Sequence, residues 1–167
     1  MDIQERVEEI TDVYPVSIEA LVRLFDIEFD KKAILPEGIS GQIEKLDNGK
    51  YKISCNKSDH YFRQRFTMAH ELSHFLLHKE KIGNGVTDDV KYRNTATTSH
   101  KFYNEKIQRN EEAEANGLAS TFLMPKKLLR DYIGEDLDED TLKDLATKFQ
   151  VSPSAMKLRL DILRRNT

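Results

Sequence analysis

A single cysteine, Cys55, is all that the 167 residues hold, so no disulfide framework closes within the chain and no cysteine-rich zinc site can be assembled. Both absences fit a reducing compartment. Long apolar runs are missing too, and no window approaches the length of a membrane span. The first dozen residues, Met1 to Asp12, are acidic and amphipathic rather than a charged start followed by an apolar stretch. No standard export signal is therefore expected, and a cytoplasmic location is. An excess of positive charge is also lacking: a formal net charge of -3, with charged residues at 33%, gives no global attraction to nucleic acid. A chain of this length buries one sizeable core, with or without a small helical appendage.

What is present is concentrated in His70-Glu71-Leu72-Ser73-His74. Positions four apart share one face of a helix, so His70 and His74 can aim their imidazoles at a single ion and fill two positions of a four-coordinate zinc site. Glu71 projects from the edge of that face, where its carboxylate can take a proton from a water beside the ion without becoming a ligand. The competing account is a surface helix that happens to carry two of the chain's five histidines. The flanking residues decide against it. Phe66, Met68, Ala69, Leu72, Phe75, Leu76 and Leu77 make most of the circumference of the segment 64–78 apolar, which predicts a buried helix. Buried ionisable groups cost several kcal/mol, on the order of the penalty for unpaired polar atoms, unless partnered; a metal partners all three.

A third ligand must come from an element packed against the first. Asn110 to Asn116 opens a second helical pattern, 109–124, that runs through Leu118, Ala119, Phe122 and Leu123 to Met124-Pro125, where proline stops it. It carries three carboxylates. Steps of three and four from Glu112 reach Ala115, Asn116, Ala119, Phe122 and Leu123, the stripe that faces the core, so Glu112 ranks first. Glu114, roughly 200° further round by the helical period, is the weaker alternative ligand, and Glu111 ranks third. Asn116, one turn after Glu112, is placed to hydrogen-bond a metal-binding imidazole and fix its tautomer. His78 continues the ladder from His74 but lies roughly 6 Å further along the axis, suited to an outer hydrogen bond rather than to the same ion. Arg63 and Arg65 read as structural.

The run Arg65 to His78, followed by Glu112-Ala113-Glu114-Ala115-Asn116 and Phe122-Leu123-Met124-Pro125, resembles the ImmA/IrrE family of zinc metallopeptidases from about Val16 to Leu163. The resemblance implies an α+β, zincin-like fold in which His70, His74 and Glu112 hold one Zn2+ (Mn2+ being tolerated by such ligands) and Glu71 is the catalytic base. It also implies a protein substrate, a helix-turn-helix repressor or antitoxin encoded nearby, in phage, mobile-element or stress-response operons. The chain departs from the family pattern at Ser73, where glycine is common, and in a long insert before the second helix.

Around this centre, Ile3 to Val13 and Ser17 to Phe25 read as two short helices separated by Pro15, with Ser17 as a cap. Ile39 to Leu46 and Lys50 to Cys55 alternate about Asp47-Asn48-Gly49, a hairpin signal, so a small antiparallel sheet should precede and pack on the active helix. Its residues Tyr51 to Cys55 are the candidate edge for substrate pairing by strand addition. From Lys79 to Gln108 the periodicity disappears for about thirty residues, long for a connection in a compact domain. That stretch is a candidate lid, with Tyr92, His100 or Tyr103 as a candidate oxyanion donor.

Leu142, Leu145, Ala146 and Phe149, then Ser152-Pro153, then Ala155, Met156, Leu160 and Leu163 mark two helices and a tight break, a helix-turn-helix-like pattern. The division expected is a metallopeptidase core at 1–135 and a C-terminal helical unit at 136–167 packed on it. Lys157, Arg159, Arg164 and Arg165 could meet phosphates, but Asp138, Glu139, Asp140, Asp144 and Asp161 nearly balance them, which argues against direct DNA binding. Two rival functions stand beside the hydrolase: a non-catalytic, zinc-stabilised regulatory or toxin-antitoxin binding module, and a DNA-binding regulator. Neither predicts chelator-sensitive cleavage of a partner.

Overall fold

The computed structural model describes residues 2–82, 91–93 and 105–167, with 91–93 and 105–108 by backbone alone. Local signals fix its first helices. Asp2 and Glu5 exchange a capping box that starts α1 (Ile3–Ile10), and the Ser17 hydroxyl accepts from Ala20 N–H to start α2 (Ile18–Leu24). Each cap satisfies an amide that the first helical turn leaves without a partner.

Four strands follow the order β1-β3-β2-β4: β1 (Ile27–Ala33), β2 (Gly41–Lys45), β3 (Tyr51–Asn56) and β4 (Lys91–Arg93). The expected hairpin is β2–β3, antiparallel with Ile43 opposite Ile53, and Gly49 supplies the positive φ of 82° that its turn requires. The sheet is nevertheless mixed, not antiparallel, because β1 joins β3 in parallel. That changes the candidate for strand addition. Tyr51 to Cys55 lie on an interior strand with both backbone edges paired, so they cannot take up a further strand. Strand β1 escapes the sequence pattern because Asp30-Lys31-Lys32 ends its alternation; charged residues of this kind suit an edge strand.

The sheet packs on α3 (Tyr61–Leu77). Ile43, Ile53 and Cys55 from the strands join Met68, Ala69 and Leu72 of the helix in the core, and burial raises the Cys55 thiol well above its usual range. The side-chain amide of Gln64 donates to Lys31 O and Asn56 O at 2.8 and 2.9 Å, fastening the helix to the ends of β1 and β3. Helix α3 starts three residues before the expected position, and its far end is less enclosed: Leu76 and Leu77 are exposed.

Contact between β2 and α3 is close enough to require glycine. A Cβ at Gly41 would lie 2.2 Å from Thr67 Cγ2 and 2.9 Å from Ser54 O, and Thr67 is fully buried. We expect Gly41→Ala to cost about 1–3 kcal/mol by overpacking, more than the gain of under about 1 kcal/mol from a stiffer unfolded chain. Chemical denaturation measures this, and Thr67→Ser, which deletes the opposing methyl, should recover part of the loss. An unchanged or raised midpoint in Gly41→Ala would contradict the packing.

Beyond α3 come a 3-10 turn (Lys79–Lys81) and β4, then α4 (Glu105–Leu123), which packs on α3. The stretch expected to be irregular thus contains short elements, while the side chains of Tyr92, His100 and Tyr103, and with them the lid reading, lie outside the described residues. Pro125 ends the helical run and precedes α5 (Lys126–Leu129). The last pair is α6 (Glu139–Phe149), capped by Asp138, and α7 (Pro153–Arg165), capped by Ser152 with proline in its first turn.

Buried Arg65 ties this last pair to α3, its guanidinium donating to Val16 O at 2.9 Å, Phe149 O at 3.3 Å and Gln150 O at 3.4 Å. Phe149, Met156 and Leu160 belong to the same hydrophobic cluster as Met68 and Leu72. Two of the basic side chains considered for DNA are used internally: Arg159 donates to Met124 O at 3.0 Å and Arg164 to Ile133 O at 2.8 Å.

Candidate metal centre

Helix α3 presents His70 and His74 one turn apart, and both are buried. Their Nε2 atoms are 3.1 Å apart. From α4, Glu112 reaches across with one oxygen 3.0 Å from His70 Nε2 and the other 3.0 Å from His74 Nε2. These three side chains form a group whose ligand atoms all lie within 4.8 Å of one another.

The donor chemistry fits a metal ion. Two imidazole nitrogens and a carboxylate are a common donor set for zinc, and bonds of about 2.0–2.1 Å at tetrahedral angles put donor atoms about 3.3 Å apart. Observed separations of 3.0–3.1 Å are close to that spacing. The far side of His70 agrees: its Nδ1 lies 2.8 Å from Asn116 Oδ1. An amide oxygen only accepts, so Nδ1 carries a ring hydrogen, and in the neutral imidazole the Nε2 lone pair then faces Glu112. Lone pairs converging on one point attract a cation.

Each remaining candidate has a definite place. Glu71 is wholly buried on α3, next in sequence to His70. Glu114 stands outside the three-residue group and bonds His78 instead, Oε2 to Nε2 at 2.9 Å. His78 in turn faces His74, Nδ1 to Nδ1 at 3.0 Å. Of Glu111, Glu112 and Glu114, Glu111 is the buried one, and it forms an ion pair with Lys81 that ties the 3-10 turn to the helix. Ser73 is fully buried, its hydroxyl donating to Ala69 O at 2.7 Å and so satisfied within the helix. Arg63 Nε donates to Ser40 Oγ at 3.0 Å, consistent with a structural role.

The link from His78 to Glu114 was not read from the sequence. Its signal was the third rung of the histidine ladder taken together with a carboxylate two residues after Glu112.

A family model described as Peptidase_M78, IrrE N-terminal-like domain, matches residues 19–161. No curated protein matches the chain.

Proposed function

The chain belongs to the Peptidase_M78 family, and from that premise we propose that it is a zinc-dependent endopeptidase acting on a helix-turn-helix repressor or antitoxin in the cytoplasm. The observation that carries this reading is the convergence of His70, His74 and Glu112 donor atoms from two packed helices. Among the described residues no helix is long and apolar enough to cross a membrane.

In this reading His70 and His74 offer neutral nitrogens and Glu112 supplies one negative charge. Bound zinc contributes Lewis acidity, which polarises a carbonyl and brings the pKa of a water toward about 7. Glu71 takes the proton from the attacking water and passes it to the leaving amine, the exchange that lets one carboxylate serve as base and then as acid. Asn116 keeps the hydrogen of His70 on Nδ1. Residues 136–167 form a helical unit, like a helix-turn-helix in spacing, that docks on the peptidase core at 1–135 and serves the partner rather than DNA. The internal use of Arg159 and Arg164 supports that preference, since each donates its Nε–H to a backbone carbonyl of the fold.

Mixing the protein with the repressor or antitoxin encoded beside it, and measuring intact masses, tests the reading. Two fragments whose masses sum to the partner plus one water, lost on addition of chelator, are expected. A tight complex with both chains intact would favour a zinc-stabilised binding module, and a salt-dependent shift of operator DNA by this chain alone would favour a DNA-binding regulator.

A further inference from the structure

We propose that His78 and Glu114 form, with His74, a directed hydrogen-bond chain that holds His74 as its Nδ1–H tautomer and thereby sets the affinity of the centre for its metal. The proposal rests on reading His70, His74 and Glu112 as the ligands.

The direction of the chain follows from donor and acceptor counting. Glu114 is a carboxylate and only accepts, so the hydrogen in its 2.9 Å contact belongs to His78 Nε2. A neutral imidazole has one N–H. With it on Nε2, His78 Nδ1 must accept, and the hydrogen in the 3.0 Å contact between the two Nδ1 atoms belongs to His74. His74 Nε2 is then a bare lone pair, and it is the atom that lies 3.0 Å from Glu112 and 3.1 Å from His70 Nε2. With a metal rather than a hydrogen on His74 Nε2 and with His78 neutral, each link has one placement of hydrogen, and the sequence of links ends with a lone pair at the metal position.

The two histidines of the motif are therefore held differently. His70 leans on a neutral amide, Asn116, whereas His74 leans on a buried imidazole whose far side meets an anion at the surface, Glu114 with a side chain 60% exposed. A carboxylate at the end of such a chain makes the ligating imidazole a stronger donor and fixes its ring plane. Placement follows from the fold: His78 is the C-cap of α3, four residues after His74, and Glu114 lies two residues after Glu112 on the packed helix α4. The backbone N–H of His78 bonds His74 O at 2.7 Å whatever the side chain is, so side-chain substitutions leave the helix end intact and probe the chain alone.

The test is zinc affinity of the full-length protein, measured by competition with a chromophoric chelator, together with imidazole tautomers of the zinc-free protein by long-range 1H–15N correlation spectra. His78→Phe should weaken zinc about 10–100-fold, the usual effect of removing a partner of a ligand, and leave His74 as a mixture of tautomers. Glu114→Ala, at an exposed position that does not threaten folding, should weaken zinc in the same direction by less. His78→Gln should recover most of the affinity, because its amide oxygen accepts from His74 and its NH2 group donates to Glu114. A merely structural His78 would not be rescued in this way. Equal affinities across the set with unchanged His74 resonances would overturn the proposal, as would loss of affinity in His78→Phe that glutamine fails to restore. If the wild type takes up no zinc, the ligand reading itself fails and the proposal with it; the zinc-free spectra still report separately whether the chain of hydrogen bonds exists.

Discussion

Glu71→Gln is expected to bind zinc as tightly as the wild type and to cleave its partner about 10²–10⁴-fold more slowly, the range associated with loss of a general base. The substitution preserves shape while removing the negative charge and the ability to accept a proton, with an NH2 donor in place of one oxygen. Glu71 is wholly buried and belongs to the central helix, so an isosteric replacement disturbs neither the packing of α3 nor the positions of His70 and His74. Single-turnover cleavage with each protein loaded by one equivalent of zinc separates the chemical step from metal binding. Cleavage at the wild-type rate would remove Glu71 from the role of base, whatever the metal content.

Glu112→Ala should have the complementary effect, abolishing both the metal and the activity. It removes the charged member of the set and leaves two neutral imidazoles 3.1 Å apart, a site with one ligand fewer than zinc ordinarily needs from protein. We expect the affinity to fall by more than the about 100-fold that marks the upper range for an outer partner. Glu112 is partly exposed at 17%, so its truncation opens no enclosed cavity and the fold should persist. Equilibrium dialysis against zinc measures the change. Undiminished stoichiometry in Glu112→Ala would move the carboxylate ligand elsewhere, with Glu114 the first alternative.

Much of this arrangement was legible in the sequence because it depends on short-range spacing. The i, i+4 relation placed His70 and His74 on one face, and the stripe through Ala115, Ala119 and Leu123 turned Glu112 toward them; those three apolar residues are completely buried. Ser152-Pro153 marked the start of α7 because cap and first-turn proline are adjacent in sequence. Less was legible where the deciding contact is remote. The parallel union of β1 with β3 joins residues separated by β2 and the connections on either side of it, and Asp30-Lys31-Lys32 carries no alternation to announce it. That union moves Tyr51 to Cys55 from the edge of the sheet to its interior.

Side-chain partners across elements were the hardest to foresee. Helical period alone sets Glu114 well away from Glu112, and it gives no hint that the end of α3 brings His78 within reach of Glu114. Charge counting was likewise too coarse for the C-terminal helices. It treated Arg159 and Arg164 as available cations, whereas each donates its Nε–H to a backbone carbonyl remote in sequence, Met124 O and Ile133 O, an interaction that no local pattern encodes.

The central claim is that one cation is held jointly by two imidazoles and one carboxylate. Zinc K-edge X-ray absorption on the protein with one equivalent of Zn2+ measures that most directly. The account predicts four nitrogen and oxygen neighbours at about 2.0–2.1 Å, with outer-shell scattering from two imidazole rings that is lost in a His70→Ala/His74→Ala double variant. A sulfur neighbour, a shell of oxygens without imidazole scattering, or a spectrum unchanged by the double variant would contradict it.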